Sequence, residues 1–409
     1  MAATDSNRII QNIFRCSFPS IDQSNLPLKD IKAAQAIMQC RTSALGYRTY
    51  RCPNAHEDKQ VFHSCRHRSC PLCAEKARHD WVEKQKRRLL DCAHYHVIFT
   101  LPHEYLVLWQ YNRAWFTQTF FRTCRDTLMT LLADERYLGA TPGLLMTLHT
   151  WGRQLNFHPH IHCLVTAGGM TCSGAWKPTK GEFLLPIRVV KSLFRGKLQA
   201  AMKTPLQDGT LNCPDGTSAQ QLLRLHRTLY QKQWSVRIQE QYTHGRGVML
   251  YLARYLKGSP FHPRQIIYCD NKRMVFRYRD HRDQQVKTLS LTMSEFLRRL
   301  LWHVPVPGRH VVRHYGLYAS PCRDQRNRCR AALGGTLEAA IAPAQNGKDP
   351  MIWYCRTCGE VLRYAYTVNG GRTIENSVNK VPIDGFVQQA AHAEHRIRAP
   401  DTNTGQYFH

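Results

Sequence analysis

Acidic residues are scarce in this chain. Only 29 Asp and Glu stand against 57 Lys and Arg among 409 residues, for a formal net charge of +28. A compact chain with that imbalance repels itself, and a polyanion relieves the repulsion. DNA or RNA is therefore the expected partner, ahead of an anionic membrane surface. Long apolar runs are missing too. No stretch of about 18 apolar residues occurs, which argues against a transmembrane helix. The first residues, MAATDSNRIIQNIF, lack the basic start, apolar run and small-residue cleavage site of an export signal. The expectation is a soluble cytoplasmic protein with no membrane partner, associated with the nucleoid while it acts. Internal repeats are absent as well. Cysteine, by contrast, is plentiful at 16 residues. In a reducing compartment clustered cysteines read as metal ligands before disulfides.

The cysteines are uneven. Cys40, Cys52, Cys65, Cys70 and Cys73 lie close together, so residues 1–90 read as a small metal-stapled module that ends in the basic helix AEKARHDWVEKQKRRLL. Residues 91–320 read as a catalytic domain. Its expected strands are HYHVIFTLP, GLLMTLHTW and PHIHCLVTAGG, the last stopped by Gly168 and Gly169. The short link RQLNFH suits an antiparallel hairpin between the second and third. Residues 104–137 read as helical. The turn-rich stretch 171–220 reads as a surface insertion around one helix, near 188–203. Helices are expected at 218–240, 246–257 and 292–302, with short strands at QIIYCD and MVFRYRD. Residues 321–409 form a C-terminal region with a linker at 335–350 and a loose polar tail. The fold class expected is α+β: a central antiparallel sheet with flanking helices, plus an N-terminal zinc-ribbon-like module.

The stretch NFHPHIHCLV carries the first chemistry. In a strand, residues i and i+2 share a face, so His160 and His162 project together while Ile161 points into the opposite core. Two adjacent imidazoles form a natural ligand pair for a divalent cation. His149, across the expected hairpin, is the favoured third ligand and His158 the competitor. A second motif is GVMLYLARYLKGSP. Tyr251 and Tyr255 lie four residues apart on one helix face, with Arg254 and Lys257 beside them as phosphate-binding cations. A tyrosine at helical spacing is more often core than catalytic, but a neighbouring metal changes that balance. With a cation polarising a phosphodiester, a tyrosine hydroxyl can attack phosphorus, leaving a phosphotyrosine and a free 3′-OH.

HPHIHCLV resembles the signature of the HUH endonucleases, named for their His-hydrophobic-His pair. YLARYLK resembles the two-tyrosine motif of the rolling-circle transposases of the insertion-sequence-91 family. Supporting segments are CRTSALGYRTYRCPNAHEDKQVFHSCRHRSCPLC, HYHVIFTLPHEY, LHTWGRQLNFHPHIH and RHYGLYA, so the resemblance spans roughly residues 35–320. It implies a metal-dependent enzyme that nicks single-stranded DNA at element ends and transfers the strand by a rolling-circle route. Position by position, His160 and His162 match the Mg2+- or Mn2+-binding pair, and Tyr251 and Tyr255 match the nucleophiles. His149 stands where relatives tend to carry His or Gln. Element ends, target DNA and the host replication machinery are the implied partners. A plasmid replication initiator or relaxase shares this chemistry, and a non-catalytic zinc-ribbon DNA-binding protein is the reading from another class.

Cys52 and His56 in CPNAH, followed by Cys70 and Cys73 in CPLC, supply four ligands as two knuckles of a structural zinc site. The family's first knuckle usually reads Cys-x-x-Cys. Here Ala55 replaces the second cysteine, so His56, His63 and Cys65 compete for the fourth position. The basic surroundings suit phosphate contact, and the module is expected to help recognise element ends. Cys355 and Cys358 form an isolated Cys-x-x-Cys that Cys322 and Cys329 could complete as a second zinc site.

Overall fold

The computed structural model describes residues 3–242, 260–280, 283–335, 352–369 and 372–375. The chain divides into two compact units, Met1–Arg41 with Ser64–Pro350, and Thr42–His63 with Met351–His409. This division cuts through the expected 1–90 module. The helices Ala3–Ser17, Leu28–Gln39 and Pro71–Arg88 belong to the first unit, where Ile10, Phe14, Ala33, Ile37 and Leu72 share a core with Phe261, Phe276 and Phe296. The hairpin Tyr47–Arg51/Asp58–Phe62 belongs to the second unit, because Tyr47–Arg51 pairs on its other edge with Arg363–Asn369.

An antiparallel sheet organises the first unit. Its order is Val312–Gly316, Thr141–Trp151, Phe157–Met170, His94–Thr100 and Val236–Tyr242, and Trp176–Pro178 pairs with the far end of Phe157–Met170. The strand alternation sorts the side chains cleanly. Tyr95, Val97, Phe99, Leu144, Met146, Leu148, Ile161, Cys163 and Val165 point to one face and join one large core. The helices Arg113–Ala133 and Ile187–Gln207 cover that face with Phe116, Phe120, Phe194 and Leu198. Each such side chain taken from water contributes roughly 1.5–3 kcal/mol. The opposite face carries the histidines.

The helix Ile187–Gln207 corrects the reading of 171–220 as a surface insertion. Val190, Phe194, Leu198 and Met202 recur every four residues and are completely buried. That stripe makes the segment part of the main core. The helix expected over 218–240 is also shorter. It runs from Ala219 to Gln231 behind a Ser218–Gln221 capping box, and Val236–Tyr242 becomes the edge strand of the sheet.

The first unit also holds an antiparallel meander, Ile266–Cys269, Arg273–Arg279 and Val286–Thr292, followed by the helix Met293–Trp302. The second unit contains one four-stranded sheet in the order Arg372–Glu375, Arg363–Asn369, Tyr47–Arg51 and Asp58–Phe62. The architecture is thus α+β with antiparallel sheets. Among the described residues no helix is long and apolar enough to cross a membrane.

Candidate metal centres

The strand Phe157–Met170 lies at the centre of its sheet, between Thr141–Trp151 and His94–Thr100. Its register sets His149 directly opposite His160 and Thr147 opposite His162. The pleat aims all three histidines at one face, and their ligand nitrogens lie within 4.8 Å of one another. His149 and His162 are buried, whereas His160 keeps partial exposure. His158 is not part of the group. Its carbonyl oxygen instead accepts from Nδ1 of His160 at 2.7 Å.

That bond decides which nitrogen of His160 can bind a cation. With the proton on Nδ1, the lone pair sits on Nε2. His162 is prepared by a longer relay. Its Nδ1 lies 2.8 Å from Nε2 of His96, and Nδ1 of His96 meets the side-chain oxygen of Gln239. The Gln239 oxygen can only accept, so His96 carries its proton on Nδ1. His96 Nε2 then accepts from His162 Nδ1–H, and His162 presents its Nε2 lone pair. Burial holds His96 and His160 down to about 4 and pushes His162 well below the ordinary imidazole value. The His160 and His162 rings are therefore neutral near pH 7, the form that ligates metals. With His149 beside them, the three imidazoles offer nitrogen donors of the kind that suit a divalent cation.

His96 and Gln239 escaped the sequence reading. The signal was present, because HYHVIFT spaces His94 and His96 as HPHIHCLV spaces His160 and His162. Tyr251, Arg254, Tyr255 and Lys257 lie outside the described residues.

The RHYGLYA segment has a structural role beside this sheet. Val312–Gly316 is an edge strand on Thr141–Trp151, and the buried Tyr318 hydroxyl meets Nε2 of His94 at 2.6 Å and accepts from the Leu90 amide at 3.2 Å. Gly316 has φ +55°, and a Cβ there would sit 2.0 Å from the Pro142 carbonyl oxygen.

The expected zinc ligands separate into two sets. Cys65, Cys70 and Cys73 meet with Cys40, all four within 4.8 Å of one another, while Cys52 and His56 are grouped with Cys355 and Cys358. Strand pairing explains the correction: Cys52 and His56 lie in the hairpin loop that Tyr47–Arg51 carries into the second unit's sheet. His63, Cys322 and Cys329 join neither group among the described residues.

Local structure builds the first set. Cys40 follows the helix Leu28–Gln39. Cys70 precedes the helix Pro71–Arg88, whose first turn carries Cys73. Cys73 Sγ lies 3.5 Å from Cys40 Sγ and 3.7 Å from Cys65 Sγ. A tetrahedral zinc with Zn–S bonds of about 2.3 Å separates its sulfurs by about 3.8 Å, so the spacing fits. The Cys65 amide donates to Cys40 Sγ and the His67 amide to Cys65 Sγ. The Cys65 and Cys70 thiols hold the Cys40 thiol far below its ordinary value, against the effect of burial.

The arrangement so far defines an α+β protein with clustered histidine and cysteine side chains suited to hold metal ions. The family described as "Putative transposase" matches residues 143–326, which include all three clustered histidines, and the "Transposase zinc-binding domain" family matches residues 12–101. "Putative transposase y4qJ" of Sinorhizobium fredii (strain NBRC 101917 / NGR234) is 33% identical over 347 residues, covering 83% of this chain and 87% of that protein. "Transposase for insertion sequence element IS801" of Pseudomonas savastanoi pv. phaseolicola is 30% identical over 389 residues, covering 90% of this chain and 92% of that protein. No solved structure matches the chain. The chain belongs to the insertion-sequence-91 family of transposases, DNA-processing enzymes with a zinc-binding domain.

Proposed function

We propose that this transposase nicks single-stranded DNA at its element ends through a covalent phosphotyrosine, on a sheet of the HUH endonuclease type. His149, His160 and His162 would hold the divalent cation, Mg2+ or Mn2+. When bound, that cation polarises a phosphate oxygen and offsets the charge that builds in the transition state. The observation that carries the reading is the convergence of His149, on Thr141–Trp151, with His160 and His162 of the central strand, the latter two prepared by His158 and His96.

Tyr251 or Tyr255 is the proposed nucleophile. The phenolic oxygen bonds to phosphorus as its proton leaves, and the bond from phosphorus to the 3′ oxygen breaks. The 3′ oxygen takes up a proton, so the strand ends as a 5′-phosphotyrosine and a free 3′-OH. A later 3′-OH can reverse the step and rejoin strands. The two tyrosines together could hold two strand ends in a rolling-circle transfer, with Arg254 and Lys257 binding phosphates. The Cys40 set would carry structural zinc and fix the helix Pro71–Arg88, whose Lys76, Arg78, Lys84 and Arg87 suit contact with the DNA backbone at element ends.

The test is incubation with labelled single-stranded element-end oligonucleotides and Mn2+ or Mg2+. A denaturant-resistant protein–DNA adduct is expected, lost in the double variant Tyr251→Phe/Tyr255→Phe and on chelation. An adduct that survives the double substitution, or none on any element-end strand, would overturn the proposal.

A further inference from the structure

Two loops of the second unit are built alike. In RCPNAHED the Cys52 amide donates to the Glu57 carbonyl at 3.0 Å, and in YCRTCGEV the Cys355 amide donates to the Glu360 carbonyl at 2.7 Å. Each loop is closed by an antiparallel pair one residue outward, Arg51 with Asp58 and Tyr354 with Val361. Each turns through a residue of positive φ, Ala55 at 56° and Gly359 at 75°. Each presents ligands at its start and near its end: Cys52 and His56 from one, Cys355 and Cys358 from the other.

The four side chains converge. Their ligand atoms lie within 4.8 Å of one another. Cys52 Sγ is 3.5 Å from Cys358 Sγ, and His56 Nδ1 is 3.8 Å from Cys52 Sγ and 3.9 Å from Cys355 Sγ. A tetrahedral zinc with three sulfurs and one nitrogen sets these edges at about 3.5–3.8 Å. Donors also point at the sulfurs. The Thr357 amide lies 3.4 Å from Cys355 Sγ, and Asn54 Nδ2 lies 3.6 Å from Cys358 Sγ. The Arg356 amide ties the loops together through the Glu57 carboxylate at 2.6 Å.

We propose that Cys52, His56, Cys355 and Cys358 form a second structural zinc site, assembled from two matching half-sites that stand 306 residues apart from Cys52 to Cys358. The unit needs such a staple. Among the described residues its buried apolar cluster is Cys52, Cys355 and Leu362, with Tyr50 and Trp353 packed against it. A core that small does not offset the conformational entropy of its strands, so bound metal supplies the folding energy. The ligands also differ from the Cys40 set in access. His56 and Cys358 are exposed, whereas every cysteine of the Cys40 set is buried or half-buried. A chelator should therefore empty the second site first.

The test uses the full-length chain purified under reducing conditions. Zinc per chain is measured for wild type, for Cys355→Ser/Cys358→Ser and for Cys65→Ser/Cys73→Ser. Each double variant is expected to lose one equivalent, and their combination two. Unchanged zinc content in Cys355→Ser/Cys358→Ser overturns the proposal. Thiol alkylation of the unmodified chain, mapped by mass spectrometry, gives a second readout that no folding defect can mimic. Cys52, Cys355 and Cys358 should be protected with zinc and become reactive after mild chelation, while the Cys40 set stays protected. Equal labelling of Cys358 with and without chelator, or a Cys52–Cys358 disulfide in reductant, also overturns it.

Discussion

Replacing His96 by leucine tests whether a buried relay, rather than the three histidines alone, sets the metal affinity proposed for the histidine centre. His96 is 2% exposed and accepts from His162 Nδ1–H at 2.8 Å. Leucine fills similar space but cannot accept. The His162 proton must then stay on Nδ1 as a buried unsatisfied donor, or move to Nε2 and block the ligand position. Leaving a buried donor unsatisfied costs about 1–3 kcal/mol. At about 1.4 kcal/mol per factor of ten, Mn2+ affinity should fall roughly 10- to 100-fold, the range usual when a partner behind a ligand is removed. His96→Gln keeps an acceptor oxygen and should recover a large part of that loss. Mn2+ titration monitored by electron paramagnetic resonance gives the affinities, and thermal unfolding confirms that both variants fold. A folded leucine variant with wild-type affinity refutes the reasoning. So does equal weakening in the two variants, because packing alone would then account for the effect.

The histidine centre was largely legible because it is local. Strand periodicity sets His160 and His162 on one face, and the short link RQLNFH brings His149 opposite them. His96 is less legible although HYHVIFT reads plainly as a strand, because spacing alone does not separate a metal ligand from a group that orients one. The core helix Ile187–Gln207 was hidden by the turns on either side, WKPTKGEF and QDGTLNCPDGT, although Val190, Phe194, Leu198 and Met202 already spell an apolar stripe. Val236–Tyr242 was absorbed into the preceding helix, since an edge strand with Arg237, Gln239 and Gln241 offers only Val236 and Ile238 as alternation. The zinc ligands failed for a deeper reason. Spacing within CPNAH and CPLC identifies knuckles but not which knuckles meet. The pairing of Tyr47–Arg51 with Arg363–Asn369 joins segments some 300 residues apart, and nothing local encodes it.

Two glycines should respond in opposite senses to alanine. Gly316→Ala forces φ +55° on a Cβ that meets the Pro142 carbonyl oxygen at 2.0 Å, and should cost roughly 2–4 kcal/mol by urea denaturation. Gly196→Ala lies inside the helix Ile187–Gln207 with nothing within 4 Å, and should stabilise by about 0.5–1 kcal/mol; destabilisation there would contradict the packing described. Acid should destabilise the fold through histidines that burial keeps neutral. Burial holds His94, His303 and His314 at about 4, against about 6.5 in an unfolded chain. Between those values the unfolded chain binds protons that the folded chain excludes. Their contribution is therefore fully present above pH 6.5 and lost as pH falls toward 4, by up to about 3 kcal/mol for each residue. Urea midpoints at pH 7, 6 and 5 should fall steadily, and His303→Gln/His314→Gln should flatten the slope. A midpoint constant from pH 7 to 5 would mean that these imidazoles take up protons in the folded chain as readily as in the unfolded one, and that their burial carries no penalty.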